Sequence, residues 1–290
     1  MSTITKGKYT FQIQEHLSSY EGQIIFNSIK IGGNYQDCAT IIIHYQNNQP
    51  NKASMPHILY DEECSLNTKL DKGDGSKQML NALFEYVKQN YPSIKEIEYD
   101  DMSSVECADE TEQLSNTKKG NILKPIPLYY LSIVYNGLTW YEKYFNAKMK
   151  NQVKYNQYKA RVNDFLHDAN KKPKQFIDFY RNISPIPDYI RDDLVEHYNT
   201  SNNFADFFKS IPKSERCKLL RPWLERYMSS YFGKTFSNTG WIIPLHPTTS
   251  TTLGGKKTRK NKNVKQITKS NSFYIPKQII RNPQHKYYGE

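Results

Sequence analysis

The stretch Lys72-Gly73-Asp74-Gly75-Ser76-Lys77 constrains the fold of this chain more than any other segment. An apolar run ending near Leu66 leads into its two glycines, and an amphipathic helix follows at once. Met79, Leu80, Leu83, Phe84 and Val87 recur at three- and four-residue steps and make one buried face. The helix therefore begins on the glycine turn. Its first backbone N–H groups have no intrahelical acceptor and point outward with the positive end of the helix dipole. Glycines let an anion approach that backbone without meeting a side chain, so the pattern predicts a phosphate cradle. The same pattern also describes a plain turn before a helix. The turn carries neither a Walker Gly-Lys-Ser/Thr sequence nor the third glycine of a dinucleotide-binding fingerprint.

Upstream, Tyr9, Phe11 and Ile13 share one face, and Gln23 to Ile31, Thr40 to Tyr45 and His57 to Leu66 carry strand signals between polar turns. This predicts a β-meander. Downstream, the helix is expected to end near Tyr91-Pro92, and Ile97 and Tyr99 alternate with Glu96 and Glu98 as a fifth strand. Strand, helix, strand implies a parallel pairing. Ser103 to Pro125 is acidic, then polar, without apolar period, and reads as a surface insertion. Leu128 to Phe145 reads as a strand running into a second helix, broken near Asn136-Gly137. From Val153 the pattern is helical: Tyr155, Tyr158, Val162, Phe165 and Ala169 mark one helix, and Ile190, Leu194 and Tyr198 another. Leu220, Leu224, Tyr227 and Tyr231 mark a third, closed by Gly233. Pro173, Pro185, Pro187 and Pro212 fit short helices with tight connections. Trp241 to Leu245 is expected to return to the sheet.

The fold class is thus α/β in its α+β form. A mixed sheet with flanking helices is expected over residues 1–149, an all-helical module over 150–233, a returning strand within 234–248, and a flexible basic tail over 249–290. A hydrophobic fraction of 37% suffices for a packed core in 290 residues. No apolar run approaches the length of a membrane span, and Met1 to Lys8 lacks the apolar core of a signal peptide, so a soluble intracellular protein is expected. Cys38, Cys64, Cys107 and Cys217 are scattered without a C-x-x-C pair and read as free thiols in a reducing compartment. No metal site is expected, since no H-x-x-H or H-E-x-x-H occurs.

From Trp241 onward ten basic residues stand against Glu290 alone, a charge of +9, so only +2 of the overall +11 belongs to the first 240 residues. The basicity therefore concentrates at Leu253-Gly254-Gly255-Lys256-Lys257-Thr258-Arg259-Lys260-Asn261-Lys262, and residues 256–269 are the expected contact with nucleic acid or another polyanion. A nuclear-localisation signal, an anionic-surface contact and a solvated terminus are the alternatives.

The segment Tyr135-Asn136-Gly137-Leu138-Thr139-Trp140-Tyr141-Glu142-Lys143-Tyr144-Phe145, together with Leu70-Asp71-Lys72-Gly73-Asp74-Gly75, resembles the GNAT acetyltransferase superfamily. That family's acetyl-CoA loop has the form Q/R-x-x-G-x-G/A, and a later helix often carries Tyr-Glu-Lys before Gly-Phe. Both glycines match. Leu70 stands where the family has Gln or Arg, and Tyr144-Phe145 stands where it often has Gly-Phe. The family's strand-helix-strand-helix core maps to about residues 55 to 147, and only His16 to Tyr20 is available for the helices such folds place after the first strand.

The resemblance implies a GNAT-like sheet and an acetyl group moved from acetyl-CoA to an amine acceptor. The pantetheine chain would pair with the strand before the loop, ending at Leu66. The N–H groups of Asp71, Lys72, Gly73, Asp74, Gly75 and Ser76 would hold the pyrophosphate, with Lys72 and Lys77 adding charge. Tyr141 matches the family's general acid, with a packed core aromatic as its alternative. For the base, Asp61, Glu62 and Glu63 lie on the expected cleft strand, Asp100 and Asp101 end the next, and His44 lies nearby; Glu63 is the first choice. His44 and His57 read as packed side chains. Gly254-Gly255 followed by Lys-Lys-Thr-Arg-Lys resembles tails on many proteins of large DNA viruses, which implies the host cytoplasm or a virion, with the nucleus as a further compartment. On that line a non-catalytic structural or nucleic-acid-associated protein on the same scaffold is the alternative.

Overall fold

The computed structural model describes residues 1–34, 37–101, 103–105, 126–167, 188–232 and 240–246. Of the insertion expected from Ser103 to Pro125, residues 106–125 lie outside the described residues, as do Ala169, Pro173, Pro185, Pro187, Gly233 and the basic tail.

Among the described residues, eight strands form one sheet: β1 (Ser2–Lys6), β2 (Tyr9–Tyr20), β3 (Gln23–Gly32), β4 (Ala39–Gln46), β5 (Gln49–Ile58), β6 (Glu96–Tyr99), β9 (Lys148–Met149) and β10 (Trp241–Pro244). Their order is β1-β2-β3-β4-β5-β6-β10-β9. A separate antiparallel pair joins β7 (Ser104–Val105) to β8 (Ile126–Pro127). Alternation decides which face is buried: Tyr9, Phe11 and Ile13 on β2, Ile29 and Ile31 on β3, and Ile41 and Ile43 on β4 all point inward. The first helix, α1 (Asp74–Asn90), lays Met79, Leu80, Leu83, Phe84 and Val87 into this core. Each such side chain contributes about 1.5–3 kcal/mol by leaving water.

Every neighbouring pair in the sheet is antiparallel except β5 and β6, which run parallel on either side of α1. The expected strand-helix-strand unit is therefore present, but its first strand is not His57 to Leu66. Asn47 and Asn48 both take positive φ (52° and 59°) and close a two-residue hairpin that starts β5 at Gln49. The strand ends at Ile58, and residues 59–73 are a loop.

Two more expectations are corrected. His16 to Tyr20 is the end of β2 rather than a helix, since it pairs with Gln23 to Ser28 of β3. Leu128 to Asn136 is helix α2, not a strand; the break does fall at Gly137, whose φ of 67° ends that helix. The next helix, α3 (Trp140–Phe145), starts on a capping box in which Thr139 and Glu142 satisfy each other's backbone N–H.

The C-terminal helices are α4 (Gln152–His167), α5 (Asp188–Asn199), α6 (Phe204–Ser210), α7 (Arg216–Leu220) and α8 (Leu224–Phe232). Leu220 belongs to α7, and α6 was not visible as a separate period. They pack around aromatic rings: Phe165 stacks on Phe204 at 5.1 Å, and Trp223 lies 6.0 Å from Phe208. Helix α2 joins them, with the Tyr130 hydroxyl 3.2 Å from Ser229 Oγ and the Tyr135 ring 6.3 Å from Phe208. One core cluster runs from the sheet into these helices. Strand β10 then returns to the sheet between β6 and β9.

The cysteines are not free thiols. Cys38 and Cys64, both fully buried, form a disulfide, and Cys217 is also disulfide-bonded. Folding brings Cys64, in the loop after β5, beside the start of β4, where Leu59 N–H donates to Cys38 O at 2.6 Å. No helix among the described residues is long and apolar enough to cross a membrane.

Candidate functional site

A crossover helix runs antiparallel to the two strands it joins, so the start of α1 lies at the same end of the sheet as the C-terminal ends of β5 and β6. The β5–β6 ladder pairs Ala53 with Ile97, Ser54 with Glu98 and Met55 with Tyr99. Beyond Met55, β5 continues against β4, with His57 opposite Thr40 and Ile58 opposite Ala39. The loop from 59 to 73 is fixed by the Cys38–Cys64 disulfide, by Tyr60 donating its hydroxyl to Leu70 O at 2.8 Å, and by Leu66 N–H donating to Thr10 O at 2.8 Å.

Gly73 caps α1 with φ of 78°, and a Cβ built there meets nothing within 4 Å. An ordinary side chain would be strained at that φ. Gly75 is needed for another reason, because its Cβ would stand 2.6 Å from Leu70 Cγ. Leu70 is 1% exposed and fills the underside of the turn, which is a physical reason for an apolar residue at that position.

Three of the N–H groups expected to hold phosphate already have acceptors. Asp71 N–H donates to the Tyr9 hydroxyl at 3.3 Å, Asp74 N–H to Lys72 O at 3.0 Å, and Gly75 N–H to Asp71 O at 2.9 Å. The Asp71 carboxylate accepts from Lys8 Nζ at 2.7 Å and from the Tyr9 hydroxyl at 2.8 Å, and these two donors hold it below the usual carboxylate range. Cations gather around the turn. Lys77 Nζ lies 5.0 Å and Lys143 Nζ 5.3 Å from the centre of the Tyr144 ring, and Lys72 Nζ lies 6.0 Å from that of Tyr60.

Helix α3 meets the first turn of α1 through Tyr144 and Lys77, and the end of β6 through Tyr141. Phe145 packs edge-on against Phe84 of α1 at 5.1 Å, and the Tyr141 ring lies 4.5 Å from Tyr99. Burial, reinforced by the charge of Asp101, pushes the Tyr141 phenol well above its ordinary titration range, so it is a neutral hydroxyl donor at physiological pH. Asp101 lies two residues beyond the end of β6. Its Oδ1 accepts from Ser103 Oγ at 2.5 Å and from Ser103 N–H at 3.3 Å, while Oδ2 is sealed from solvent with no hydrogen-bond partner among the described residues. Burial pushes this carboxyl up to about 6, against the opposing pull of the Ser103 hydrogen bonds.

The site residues read from the sequence separate into two groups. Tyr141, Lys77 and the glycine turn fall at one end of the sheet, linked through α3. Glu63 and Leu66 do not join them. Both sit exposed in the 59–73 loop, where Glu63 N–H donates to Asp61 Oδ1 at 2.7 Å and Glu63 O lies against Gly33 at the end of β3. Neither is on a cleft strand, because β5 ends at Ile58. His44 and His57 are not packed core residues; His44 Nε2 is 2.9 Å from Ser54 Oγ and His57 Nε2 3.0 Å from Asp37 O. Asp101 stood among several acids in the sequence, and nothing local distinguished it from Asp100. Only the fold buries its carboxylate where its charge acts on Tyr141.

A cavity of about 240 Å³ lies between α1, α3 and β10, lined by Phe84, Lys88, Phe145 and Pro244 among others. It is at the other end of β6, since Pro244 pairs with Glu96 whereas Trp241 pairs with Tyr99. No group of three or more His, Cys, Asp or Glu side chains among the described residues is placed to hold a metal ion. Comparison with protein-family models, with curated proteins and with solved structures gave no match.

Proposed function

We propose that this chain is a divergent GNAT-like acyltransferase that moves an acetyl group from acetyl-CoA to an amine. The observation that carries this reading is the parallel β5–β6 pair joined by α1, with Gly73 at the head of the helix and Tyr141 of α3 at the end of β6. That arrangement fits the family's strand-helix-strand-helix core. The absence of a helix between β2 and β3 and the buried Leu70 are departures from the pattern.

On this reading His57 and Ile58, beyond the last β5–β6 pair, offer the backbone edge for the pantetheine chain. The open space at Gly73, with Lys72 and Lys77 nearby, would take the pyrophosphate. The amine nitrogen attacks the thioester carbonyl carbon, the C–S bond breaks, and the Tyr141 hydroxyl gives its proton to the leaving thiolate. Calorimetry with acetyl-CoA and its desulfo analogue tests the assignment. Binding is expected in the native protein and is expected to vanish in Gly73→Glu with the far-UV spectrum unchanged; equal binding in both proteins would remove the glycine turn from the site.

A second reading is favoured by the internal use of the Asp71, Asp74 and Gly75 N–H groups and by the two carboxylates, Asp71 and Asp74, beside them. The scaffold would then be non-catalytic, with the basic C-terminal residues contacting nucleic acid. Salt-sensitive, sequence-independent DNA binding that is lost on deleting residues 250–290 would support it, and binding that survives the deletion would count against it. The Cys38–Cys64 disulfide favours a virion or another oxidising compartment over a reducing cytosol.

A further inference from the structure

We propose that the cavity between α1, α3 and β10 binds a small aromatic carboxylate, whose ring lies against Phe84 and Phe145 and whose charge meets Lys88. The site is at the opposite end of β6 from Tyr141, and it rests on neither reading of the function.

The cavity measures about 240 Å³. At ~30 Å³ for each water of the liquid, that is room for about eight waters, or for a ligand of about eight to twelve non-hydrogen atoms. Its floor belongs to the core: Phe84, Phe145, Ile243 and Leu245 are all buried, and Pro244 completes the wall. Phe145 meets Phe84 edge-on at 5.1 Å, and a third ring can join such a pair in offset or edge-to-face contact. Most small-molecule sites have this composition, an apolar recess with a few polar groups at its rim.

The rim is cationic. Lys88 is exposed in the last turn of α1 and makes no ion pair among the described residues. Glu85, the acid of the lining, is already bridged to Lys6. His246 follows Leu245 at the end of β10, and its Nε2 is sealed from solvent with no hydrogen-bond partner among the described residues. Burial first, then the charges of Lys95 and Lys88, hold its ring below the ordinary histidine range, so both ammonium groups act on this corner. Lys95 is held there by its backbone, whose carbonyl accepts from Leu245 N–H at 2.9 Å.

These features select the ligand. A cation would be repelled by Lys88 and Lys95. An inorganic anion would leave the apolar floor uncovered, and an uncharged ring would leave Lys88 without a counter-charge. A carboxylate on a single ring satisfies both, and Asn81 and Tyr144, the remaining polar residues of the lining, can donate to it. Lys88 also complements the negative end of the α1 dipole, but that role makes no use of the apolar recess beside it.

The test is an NMR titration of 3-phenylpropionate into the full chain, with acetate as its ringless and 3-phenylpropan-1-ol as its uncharged counterpart. The same titrations are made on Lys88→Gln, an exposed substitution, and on Asn81→Trp, which fills the cavity and leaves Lys88 in place. 3-Phenylpropionate should shift the amide resonances of residues 81–88 and 243–245 and bind about tenfold more tightly than either counterpart. Lys88→Gln should weaken it about fivefold, and Asn81→Trp should abolish it. Acetate binding as tightly as 3-phenylpropionate, or binding that survives Asn81→Trp, would reduce the contact to surface ion pairing and overturn the cavity site. The alcohol binding as tightly, or an affinity unchanged in Lys88→Gln, would overturn the choice of a carboxylate. Resonances at 81–88 and 243–245 that do not move in the native protein would overturn the proposal as a whole.

Discussion

Tyr158 donates its hydroxyl to Glu142 Oε2 at 2.8 Å. The same carboxylate accepts from Tyr155 at 3.0 Å and from Thr139 N–H at 2.8 Å, and Lys159 Nζ lies 3.5 Å away. Glu142 is therefore the point where α3, which carries Tyr141, is fastened to α4. Its side chain is only 2% exposed, so the bonds to it are made out of contact with water. Glu142→Ala would remove the acceptor used by the buried Tyr158 hydroxyl, the half-buried Tyr155 hydroxyl and a helix-capping N–H, and should lower unfolding free energy by about 3 kcal/mol. Tyr158→Phe removes one donor and should cost about 1 kcal/mol. Urea midpoints of the two variants read the difference, and equal losses would contradict this hierarchy.

Asp101 makes the opposite contribution. Its carboxyl titrates near 6 in the folded protein against an ordinary 3.8, so between those values the folded state holds a proton that the unfolded chain has lost. Its contribution to stability is therefore fully present below about 3.8 and is lost as pH rises through about 6. Glu15, Asp71 and Glu98, whose carboxyls are lowered, act in the other sense, so only a difference between variants isolates the effect. Asp101→Asn should be more stable than the native protein by up to about 3 kcal/mol at pH 7.5, with the gain shrinking towards pH 4. A gain that does not change with pH would mean that the buried charge is not its source.

The glycine turn, the helix behind it and the parallel strand at Ile97 and Tyr99 were legible because each has a strong period. The Gly73–Gly75 turn leads into five apolar residues at helical steps, and Ile97 and Tyr99 alternate with glutamates. Strand β5 was misread because its buried positions near the site are Ala53 and Met55, small signals among Gln, Pro, Asn and Lys, whereas its last residue, Ile58, runs straight into a loop that carries Leu59, Tyr60 and Leu66. Misplacing that strand carried Glu63 into the cleft with it. Helix α2 was read as a strand because Leu128 to Tyr135 is aromatic and β-branched, and its packing under the C-terminal helices overrides that preference. Asp101 and the disulfide have no local signature: the burial of one carboxylate and the meeting of cysteines 26 residues apart are properties of the whole fold.

The disulfide makes its own prediction. Cys38 and Cys64 close a loop that contains β4, the Asn47-Asn48 hairpin and β5. A link across 26 residues restricts the unfolded chain by about 3–4 kcal/mol in the chain-entropy treatment. Replacing both cysteines by alanine should lower the unfolding free energy by about that amount, measured without a reducing agent so that the disulfide of Cys217 stays intact in both proteins. If native and variant proteins have equal urea midpoints, the loop's hydrogen bonds at Leu59, Leu66 and Leu70 hold it without the cross-link.

Leu70 and Gly75 make the last test, because each explains the other. A Cβ at Gly75 would lie 2.6 Å from Leu70 Cγ and 3.3 Å from the Leu70 carbonyl carbon, so Gly75→Ala must push the buried leucine aside. Overpacking of this kind costs about 1–3 kcal/mol. Leu70→Ala opens a void in the same place and should cost about 2–3 kcal/mol by itself. If the two residues share one space, the double variant should lose clearly less than the two single losses together, because the alanine at 75 enters room vacated at 70. Additive losses in a urea-denaturation cycle would mean that the turn relieves the contact by moving its backbone. Acetyl-CoA affinity across the same four proteins then separates effects on stability from effects on the anion site: a backbone shift at Gly75 should weaken binding, and a leucine that moves alone should not.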